Sequence, residues 1–548
     1  MCGIAVWIAA QNTTLADSKV DHAARKIQHR GPDQSQTLII GGDGFCRMDF
    51  HRLAINGFDS TAMQPFKAGP WHVVVNGEIY NSETLATRFN LCLASGSDCE
   101  VVARMLQANI APLKVCDALD GVFAFAAYNE ETKRLVAARD PFGVRSLYIA
   151  MSYNGVGPRM ALASELKVLV SGDDGVYIAP FPPGKMFQFD VNTQDEQWFR
   201  HHVGFETNFF PYFDVDDREA MSRIRMRLVE AVDKRVQCDR LPIGCFVSGG
   251  LDSSLIAALV VRAVCVRGGK PEDVWTFSIG QEGSTDMRFA QMVADHLKTT
   301  HHPVFVTEQQ MLDAIPNVVK SLETWDTTTI RAATGHCLLS NYVRDNTPVK
   351  VLFSGEGADE IMGSYLYFEN APTPEAFQDE TMRLARDLHR FDVLRVELSC
   401  ASRGLECRVP FLDKFFVATA LRVPPQQRGF RDFNGRRMEK WLLRKAFDGD
   451  ELLPKQVLWR RKEAFSDGVS SATSSWHHQI QRHAARMYPE SATENNYNTK
   501  TPEQQWYQHL FEQYYPGCAG VIPYEWLPKW CGGQTDPSAR ALVGYSVN

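Results

Sequence analysis

The chain has 548 residues, of which 44% are hydrophobic and 22% are charged. This length allows two to four domains, and an excess of 65 Asp+Glu over 58 Lys+Arg, for a formal net charge of -7, argues against a general nucleic-acid-binding surface. No run approaches the ~18 consecutive apolar residues of a transmembrane helix, and the N-terminus lacks the charged and apolar regions of a signal peptide, so we expect no membrane association.

The first residues favour an N-terminal nucleophile. The chain begins Met1-Cys2-Gly3, and removal of Met1 would give Cys2 both a thiol and a free α-amine. Since an unperturbed α-amine has a pKa of roughly 8, it can serve as the base that takes the thiol proton. The alternative is that a cysteine at this position is chance and behaves as a small apolar residue.

The first half contains short β-rich segments, among them residues 71–75, 122–128 and 135–138, separated by Gly, Asn and Asp turns. This pattern predicts packed sheets with a few covering helices. A segment rich in aromatic residues follows at 191–217. Its composition predicts a packed connection between two domains rather than a flexible linker.

The second half has a different pattern. Apolar residues recur at helical spacing over 217–232, and from there strand-like runs alternate with helical stretches. This alternation predicts a parallel α/β sheet. The segment 490–533 is polar and interrupted by Pro and Gly, so we expect it to be loosely ordered.

A glycine-rich loop in the second half predicts a phosphate site. The segment SGGLDSS (248–254) follows an apolar run and precedes a helical pattern, so backbone N–H groups at a helix start would face a phosphate chain. The spacing differs from that of a Walker A loop. Asp252 is a candidate Mg²⁺ ligand, since hard cations prefer carboxylate oxygen; the alternative is that it caps the helix.

A second loop, SGEGADE (354–360), also follows an apolar run. Ligands collect at the carboxyl ends of parallel strands, so we expect both loops to face one crevice. The acids Glu356, Asp359 and Glu360 are candidates to bind an amino group, position a metal or act as a base; the alternative is a solvated turn. The basic run at 460–468 would grip phosphate oxygens or lie on a solvated face.

Together these segments resemble the family of glutamine-dependent asparagine synthetases over nearly the whole chain. In the first half the motifs have the order found in class II glutamine amidotransferase domains. They are MCGI (1–4), HRGPD (29–33), HRLAI (51–55), VNGEIY (75–80), GSDCE (96–100) and RDPFG (139–143). The second half looks like a synthetase domain of the ATP pyrophosphatase type. Its motifs are SGGLDSS (248–254), TWDTTTIR (324–331), SGEGADE (354–360), ECRVPFLD (406–413) and KEAFSDG (462–468).

The resemblance implies roles for first-half residues. Cys2 would attack the side-chain amide of glutamine and release ammonia, with the Asn76 side chain and the Gly77 N–H as oxyanion hole. Arg52 would pair with the glutamine α-carboxylate, and Glu78 and Asp98 would accept from its ammonium and amide. The stretches lining the pocket would be Arg52, Leu53, Ala54, Ile55 and Asn56, and Asn76, Gly77 and Glu78.

In the second half the resemblance implies that ATP is split between its α- and β-phosphates as aspartate forms β-aspartyl-AMP. Glu356 would assist this step or deprotonate the arriving ammonia, and the sequence does not decide which. Mg²⁺ would lie at Asp252 with Asp359. The nucleotide would contact Val247, Ile279, Ser354 and Gly355, and its pyrophosphate Ser248, Gly249, Gly250, Asp252, Ser253, Ser254 and Lys462.

The expected architecture is an N-terminal-nucleophile αββα sandwich at 2–205 followed by a parallel α/β nucleotide-binding domain of the adenine-nucleotide α-hydrolase type at 206–548. The expected ligands are glutamine, aspartate, ATP and Mg²⁺, without nucleic acid or membrane. Thirteen cysteines without zinc-ligand spacing fit a reducing, cytoplasmic compartment. Family members are often dimers, which makes a homodimer the expectation. A protein-lined route for ammonia is expected, but its lining cannot be named.

Two other classes of function remain open on the sequence. One is an amidotransferase that activates a different carboxylic acid, which would share the loop at 248–254. The other is a noncatalytic regulatory relative, which would have lost charged site residues. Sugar-phosphate amidotransferases share the first half but not the second, and the loop at 248–254 argues against them.

Overall fold

The computed structural model describes residues 1–9, 15, 17–41, 45–152, 158–170, 176–202, 211–471, 474–488, 499–532 and 536–538. The chain forms two compact units. The first comprises residues 1–204, 401–406 and 515–521, and the second comprises the remainder. The expected domain boundary between 205 and 206 falls within 203–210, outside the described residues, and stays a prediction.

The first unit is built mainly of strands. Its strands are β1 (Gly3–Ile8), β2 (Gln34–Ile40), β3 (Cys46–Arg52), β4 (Phe66–Ala68), β5 (Trp71–Ile79), β6 (Gly121–Asn129), β7 (Arg134–Arg139), β8 (Tyr148–Ser152), β9 (Met160–Ala163), β10 (Val176–Pro180), β11 (Lys185–Asp190) and β12 (Glu196–Arg200). Its helices are α1 (Ser18–Arg25), α2 (Ser82–Phe89), α3 (Glu100–Gln107) and α4 (Pro112–Ala118).

These strands form two six-stranded antiparallel sheets. One has the order β10-β8-β9-β1-β3-β2 and the other β12-β11-β7-β6-β5-β4. The alternation of side chains between the two faces of β6 shows why the two sheets stack. Ala124, Ala126 and Tyr128 contribute to the core shared with β1 and β3, while Phe123 and Phe125 point to the other face, into a core shared with α3 and α4. The central strand β6 therefore buries both of its faces.

The three predicted β-rich segments of the first half are confirmed as parts of β5, β6 and β7. Helices α2 to α4 pack beside the second sheet, and the Ala24 carbonyl of α1 lies 3.1 Å from His51 Nε2 on β3 of the first sheet. The unit is thus the expected αββα sandwich. In the described part of the predicted connection, Phe213 packs under the guanidinium groups of Arg223 and Arg422.

The second unit alternates strands and helices. Its strands are β13 (Ile243–Phe246), β14 (Val274–Gly280), β15 (Thr300–Phe305), β16 (Val351–Phe353), β17 (Glu406–Arg408), β18 (Arg431–Phe433) and β19 (Arg436–Met438). Its helices are α5 (Asp217–Val236), α6 (Leu251–Val266), α7 (Thr285–Leu297), α8 (Glu308–Leu322), α9 (Thr327–Asn346), α10 (Ala358–Met362), α11 (Pro374–Asp387), α12 (Asp392–Ala401), α13 (Lys414–Arg422), α14 (Pro425–Arg428), α15 (Trp441–Ala446), α16 (Lys455–Leu458), α17 (Phe465–Gly468), α18 (Trp476–Met487) and α19 (Pro502–Tyr514).

The central sheet of the second unit has the order β15-β14-β13-β16-β17, and β13 pairs in parallel with both β14 and β16. The predicted parallel α/β architecture is confirmed, and α5 contains the predicted helix at 217–232. The carboxyl ends of β13, β14 and β16 lead into the loops at 248, 281 and 354. None of the helices in the described residues is long and apolar enough to cross a membrane.

The expectation of a loosely ordered segment at 490–533 is wrong for its described part, which begins at residue 499. Residues Pro502–Tyr514 form α19, and Trp506, Tyr507 and Phe511 are buried there. Arg331 of α9 pairs with Glu503 at 2.6 Å. Composition alone did not reveal these apolar anchors, because they are separated by Gln, Glu and His.

Candidate active sites

In the first unit, Cys2 lies immediately before β1 and lines a small cavity. The wall includes most of the residues expected to bind the first substrate: Arg52, Leu53, Ile55, Asn56, Gly77, Glu78 and Asp98. Ala54 and Asn76 lie between lining residues but do not themselves line the cavity. β1, β3 and β5 thus bring these dispersed sequence segments together.

The Cys2 thiol is enclosed. Its Sγ lies 3.8 Å from the Leu53 carbonyl oxygen, and Arg30 Nε donates to the Cys2 carbonyl oxygen at 3.0 Å. Burial raises the pKa of the Cys2 thiol, and burial lowers the pKa of the Met1 α-amine. A thiol in these surroundings is protonated near neutral pH, so its reactivity requires a base close by.

Asn76 is the most unusual group beside this cavity. The residue is 0% exposed, and neither its Oδ1 nor its Nδ2 has a hydrogen-bond partner among the described residues. A buried polar group without a partner typically costs about 1–3 kcal/mol. The Asn76 amide thus keeps its hydrogen-bonding capacity unused between two residues, Val75 and Gly77, that line the cavity of Cys2.

Gly77 follows Asn76 on β5 and cannot carry a side chain. A Cβ there would lie 2.3 Å from the Val122 carbonyl oxygen and 2.8 Å from Phe123 Cα. The close approach of β6 thus requires glycine. It keeps the backbone of residue 77 at the cavity wall beside the unpaired amide.

The Arg52 guanidinium is held by hydrogen bonds within the first unit. Its Nη1 donates to Gln34 Oε1 at 3.1 Å and to the Asp59 carbonyl at 3.0 Å, and its Nη2 donates to the Gly57 carbonyl. These bonds fix the guanidinium in the cavity wall. Their acceptors are neutral oxygens, so the positive charge has no carboxylate partner in these contacts and suits an anionic ligand.

Asn56 connects the carboxylates of Glu78 and Asp98. The Asn56 Nδ2 donates to Glu78 Oε2 at 3.1 Å and approaches Asp98 Oδ1 at 3.5 Å, while Asp98 Oδ2 accepts from the Ile79 N–H at 2.5 Å. These bonds orient two carboxylates toward one wall. The pair provides acceptors for a ligand ammonium or amide.

In the second unit, a larger cavity opens at the carboxyl ends of the parallel strands. It is lined by most residues expected to bind nucleotide or assist the reaction: Val247, Ser248, Gly250, Asp252, Ser253, Ile279, Ser354, Gly355, Glu356, Asp359 and Lys462. Gly249 and Ser254 lie in the same loop but do not line the cavity. The expected single crevice is therefore formed.

The loop at 248 is held by its own serines. Ser248 N–H donates to Ser253 Oγ at 3.1 Å, and Gly250 N–H donates to Ser248 Oγ at 3.3 Å. Gly249 has φ of 72°, and a Cβ there would lie 2.4 Å from Phe289 Cβ. The backbone N–H groups at the start of α6 are thereby presented to the cavity, as phosphate binding requires.

The loop at 354 contacts the loop at 248 directly. A Cβ on Gly355 would lie 2.7 Å from the Ser253 nitrogen and 2.8 Å from the Asp252 carbonyl carbon. Only glycine permits this approach. The two loops therefore form one continuous wall of the cavity.

Lysines bridge the carboxylates of this wall. Lys440 Nζ donates to Asp252 Oδ2 at 2.6 Å and to Asp359 Oδ1 at 2.5 Å, and Lys462 Nζ donates to Asp359 Oδ2 at 2.5 Å. Burial alone would raise the pKa of Asp359, but the two ammonium groups outweigh it and hold the pKa below its usual range. Asp359 is therefore ionised.

The capping alternative for Asp252 is wrong. The N-cap of α6 is Gly250, and no side chain makes the capping hydrogen bond. Asp252 instead turns toward Lys440, and its Oδ1 is buried without a hydrogen-bond partner in the described part of the chain. Its free oxygen lies beside a phosphate-type loop.

Glu356 occupies a different part of the cavity. Arg395 Nη2 donates to its Oε2 at 2.6 Å, and His336 Nε2 lies 3.8 Å from its Oε1. Burial raises the pKa of Glu356, while Arg395 opposes that rise. Burial also lowers the pKa of His336 to about 3, so this imidazole is neutral.

Comparison with known proteins follows the two units. A family model for the glutamine amidotransferase domain matches residues 1–206, and one for asparagine synthase matches residues 223–379 and 369–530. The chain is 38% identical to the glutamine-hydrolyzing asparagine synthetases of Pongo abelii, Bos taurus and Homo sapiens, in each case over 100% of this chain and 99% of the relative. This chain belongs to the asparagine synthase family.

In this member of the asparagine synthase family, sequence reasoning missed several cavity residues, among them Lys440, Arg395, Asp392 and His336. Lys440 follows the β18–β19 hairpin, and the other three lie on α9 and α12, far along the chain from the glycine-rich loops. In the sequence, each of these residues is an isolated polar residue of the kind usually found on the surface. Their burial distinguishes all four from surface residues, and the sequence around them gives no sign of that burial.

Proposed function

We propose that this protein is an ATP-dependent, glutamine-hydrolysing asparagine synthetase. It would release ammonia from glutamine at Cys2 and use ATP to convert aspartate to asparagine. The observation that carries the proposal is one chain with two kinds of site: a half-buried thiol beside an amide that has no partner among the described residues, and a phosphate-type loop beside half-buried carboxylates. Full-length similarity to proteins of that name supports it.

In the first unit, the Cys2 sulfur attacks the side-chain amide carbon of glutamine. A C–S bond forms, the C–N bond breaks, and ammonia leaves with the thiol proton; water then hydrolyses the γ-glutamyl thioester. We propose that Met1 is removed and that the freed α-amine of Cys2 carries that proton. Burial lowers the pKa of the Met1 α-amine, and the same enclosure would favour the neutral, proton-accepting form of an amine on the adjacent Cys2.

The tetrahedral intermediate carries an oxyanion, for which Asn76 Nδ2 and the Gly77 N–H are the proposed donors. The unsatisfied amide of Asn76 supports this assignment, because a preorganised donor costs no reorganisation during the reaction. Arg52 is the proposed partner of the substrate α-carboxylate. Glu78 and Asp98 are proposed to accept from its ammonium and amide.

The segments flanking Arg52 and Asn76 complete the proposed glutamine pocket. Leu53, Ile55 and Asn56 support it as lining residues, whereas Ala54 contributes through its backbone, whose N–H donates to Asp33 Oδ2 at 2.8 Å. This bond shapes the turn after β3. We therefore assign Ala54 a supporting part in the pocket.

In the second unit, the aspartate β-carboxylate attacks the α-phosphorus of ATP, forming an acyl–phosphate bond and releasing pyrophosphate. Ammonia then displaces AMP. The serine-rich loop at 248 and Lys462 are the proposed pyrophosphate contacts, with Val247, Ile279, Ser354 and Gly355 against the nucleotide. Gly249 and Ser254 are proposed to support the loop, since neither lines the cavity.

Glu356 is proposed to take the proton that ammonia loses when it attacks the adenylate. Its raised pKa supports the role, because a carboxylate of higher basicity holds a proton more readily. Arg395 opposes that rise in pKa and fixes one of the carboxylate oxygens. The carboxylate is thus ready to accept a proton without reorientation.

Mg²⁺ is proposed to be held by Asp252 and Asp359. The fit is supported by the unpartnered Oδ1 of Asp252 and by the carboxylate oxygens of both residues, which are the ligands that Mg²⁺ prefers. When bound, the ion would neutralise charge on the phosphates. Lys440 already holds both carboxylates at the cavity wall.

We further propose a cytoplasmic location and a homodimeric state. The first is supported by the thirteen cysteines, for which the described residues show no disulfide. The second is an expectation from the family alone, and sedimentation velocity would test it.

A product assay tests the activity. Enzyme supplied with aspartate, ATP, Mg²⁺ and ammonium is expected to form asparagine, AMP and pyrophosphate in equal amounts. ADP and phosphate in their place would contradict cleavage between the α- and β-phosphates. If aspartate stimulates no pyrophosphate release, the substrate assignment fails, and other carboxylic acids would be screened.

A further inference from the structure

The cavity of the second unit has two chemically different sides. One side is formed by the loop at 248 with Lys440 and Lys462, as phosphates require. The other side is formed by Glu356, Asp392 and Arg395. The function proposed above gives Asp392 no role. It gives Arg395 only the role of holding Glu356.

Asp392 and Arg395 lie one turn apart at the start of α12. Arg395 Nη1 pairs with Asp392 Oδ1 at 2.9 Å, while its Nη2 donates to Glu356. Residues at this spacing share one helix face, so their relative position is set by the backbone. The two charged groups are presented to the cavity as a fixed pair.

Two buried nitrogen atoms on this side have no hydrogen-bond partner among the described residues. They are Arg395 Nε and His336 Nδ1, on side chains that are 9% and 6% exposed respectively. Buried polar atoms are almost always paired, in proteins generally. A ligand that supplies an acceptor would satisfy Arg395 without displacing either of its carboxylates.

The charge balance on this side identifies the ligand. Two carboxylates, Glu356 and Asp392, share one guanidinium, which leaves one negative charge in excess. His336 is stacked between Phe246 and Phe465, with ring centroids 5.7 and 4.7 Å away, and is neutral. The excess negative charge favours a cationic group on the ligand, and the Arg395 Nε, which has no partner among the described residues, favours an acceptor such as a carboxylate beside it.

We propose that Asp392 and Arg395 form the subsite for the backbone end of the amino-acid substrate, with Asp392 on its α-ammonium and Arg395 on its α-carboxylate. This rests on the proposed function, in which the side-chain carboxylate of aspartate reacts with ATP. The subsite leaves that carboxylate free to point toward the phosphate side. It therefore selects an α-amino acid over a simple dicarboxylic acid.

Substrate analogues test each contact separately. Succinate lacks the α-ammonium and β-alanine lacks the α-carboxylate, while both keep a reactive carboxylate. With ammonium as nitrogen donor, pyrophosphate release gives kcat/KM for aspartate and each analogue. Asp392→Asn is expected to lower the aspartate-to-succinate ratio about 100-fold, and Arg395→Gln to lower the aspartate-to-β-alanine ratio by a similar factor.

These ratios separate recognition from folding, because a merely structural change would lower the rates with all substrates equally. The matched controls Glu375→Gln and Arg386→Gln change exposed charges on the neighbouring helix α11 and should leave both ratios unchanged. Unchanged ratios in Asp392→Asn and Arg395→Gln would overturn the subsite while wild-type activity with aspartate still supported the proposed function. If the wild-type enzyme showed no activity with aspartate, both the proposed function and the proposed subsite would be contradicted.

Discussion

The cavities at Cys2 and at Ser248 treat their polar groups differently. Beside Cys2 lies a neutral amide whose two polar atoms have no partner in the described part of the chain, and burial raises the pKa of the thiol. In the second unit, the carboxylates at the cavity wall are paired with lysine or arginine. Covalent attack on an amide needs one donor held ready, whereas phosphate chemistry needs many charges held apart, and each unit is built for one of these tasks.

The largest effect that would distinguish the two cavities is expected for Asn76→Ala. It removes the unpaired donor but no charge, so glutamine hydrolysis is expected to fall about 100- to 1000-fold in kcat. Asparagine formation from ammonium should keep its wild-type rate, which also serves as the folding control. Glutaminase assays and ammonium-dependent synthesis on one preparation measure both, and equal losses would show that Asn76 acts through stability.

Gly249→Ala tests the phosphate-type loop of the second unit. The new methyl group would meet Phe289 and the φ of 72° would be strained, so the phosphate loop should shift. We expect ammonium-dependent synthesis to fall about 100-fold, as displacements of about 1 Å can cause. Glutaminase activity should persist.

The control is Gly268→Ala, where φ is 90° but no atom lies within 4 Å of the added Cβ. This variant introduces backbone strain away from the loop and should retain synthetase activity. If both glycine variants lose activity alike, strain rather than loop position explains the effect.

Lys440→Met tests the ion pairs that Lys440 forms with Asp252 and Asp359. Without the ammonium group, Asp252 and Asp359 would face each other with only Lys462 as a cation, so kcat/KM for ATP should fall about 30-fold, the equivalent of one charge-assisted hydrogen bond. Steady-state pyrophosphate release measures the effect. Lys445→Met, which removes an exposed ammonium bound to Asp448, is the matched control and should be silent.

The smallest expected effect concerns Asp286, which pairs with Arg460 at 2.7 Å. Burial raises its pKa to about 6, above the ordinary value of 3.8. The folded state therefore binds more protons than the unfolded state between about pH 4 and 6, and the free energy of unfolding contributed by this group falls as pH rises through that window.

Asp286→Asn removes this titration. The free energy of unfolding of the wild type, measured relative to the variant by urea denaturation, should decrease by about 2 kcal/mol between pH 4.5 and pH 7. A difference that stays constant with pH would mean that Asp286 does not titrate in this range.

Much of both cavities could be predicted because their residues lie in short motifs. Gly249 and Gly355 mark places where backbones touch, and the run from Asn76 to Glu78 lies on one strand. Lys440 and Arg395 could not be predicted in this way. Each reaches a cavity through tertiary packing of a separate helix or hairpin, and neither the spacing nor the type of its neighbours signals that approach.

The helix α19 shows the same limit for the fold. Its buried aromatic residues are interrupted by polar ones, and Glu503 is stabilised by Arg331 from α9. A composition-based expectation of loose order ignored that partner. Sequence patterns therefore predicted elements whose apolar faces are regular, and failed where a distant charge completes the packing.

The most direct test of two separate sites joined by ammonia is Cys2→Ala supplied with either nitrogen donor. Asparagine would be measured with aspartate, ATP and Mg²⁺ present. We predict that the variant makes asparagine from ammonium at the wild-type rate and makes none from glutamine. Retained glutamine-dependent synthesis, or equal loss with both donors, would contradict the account.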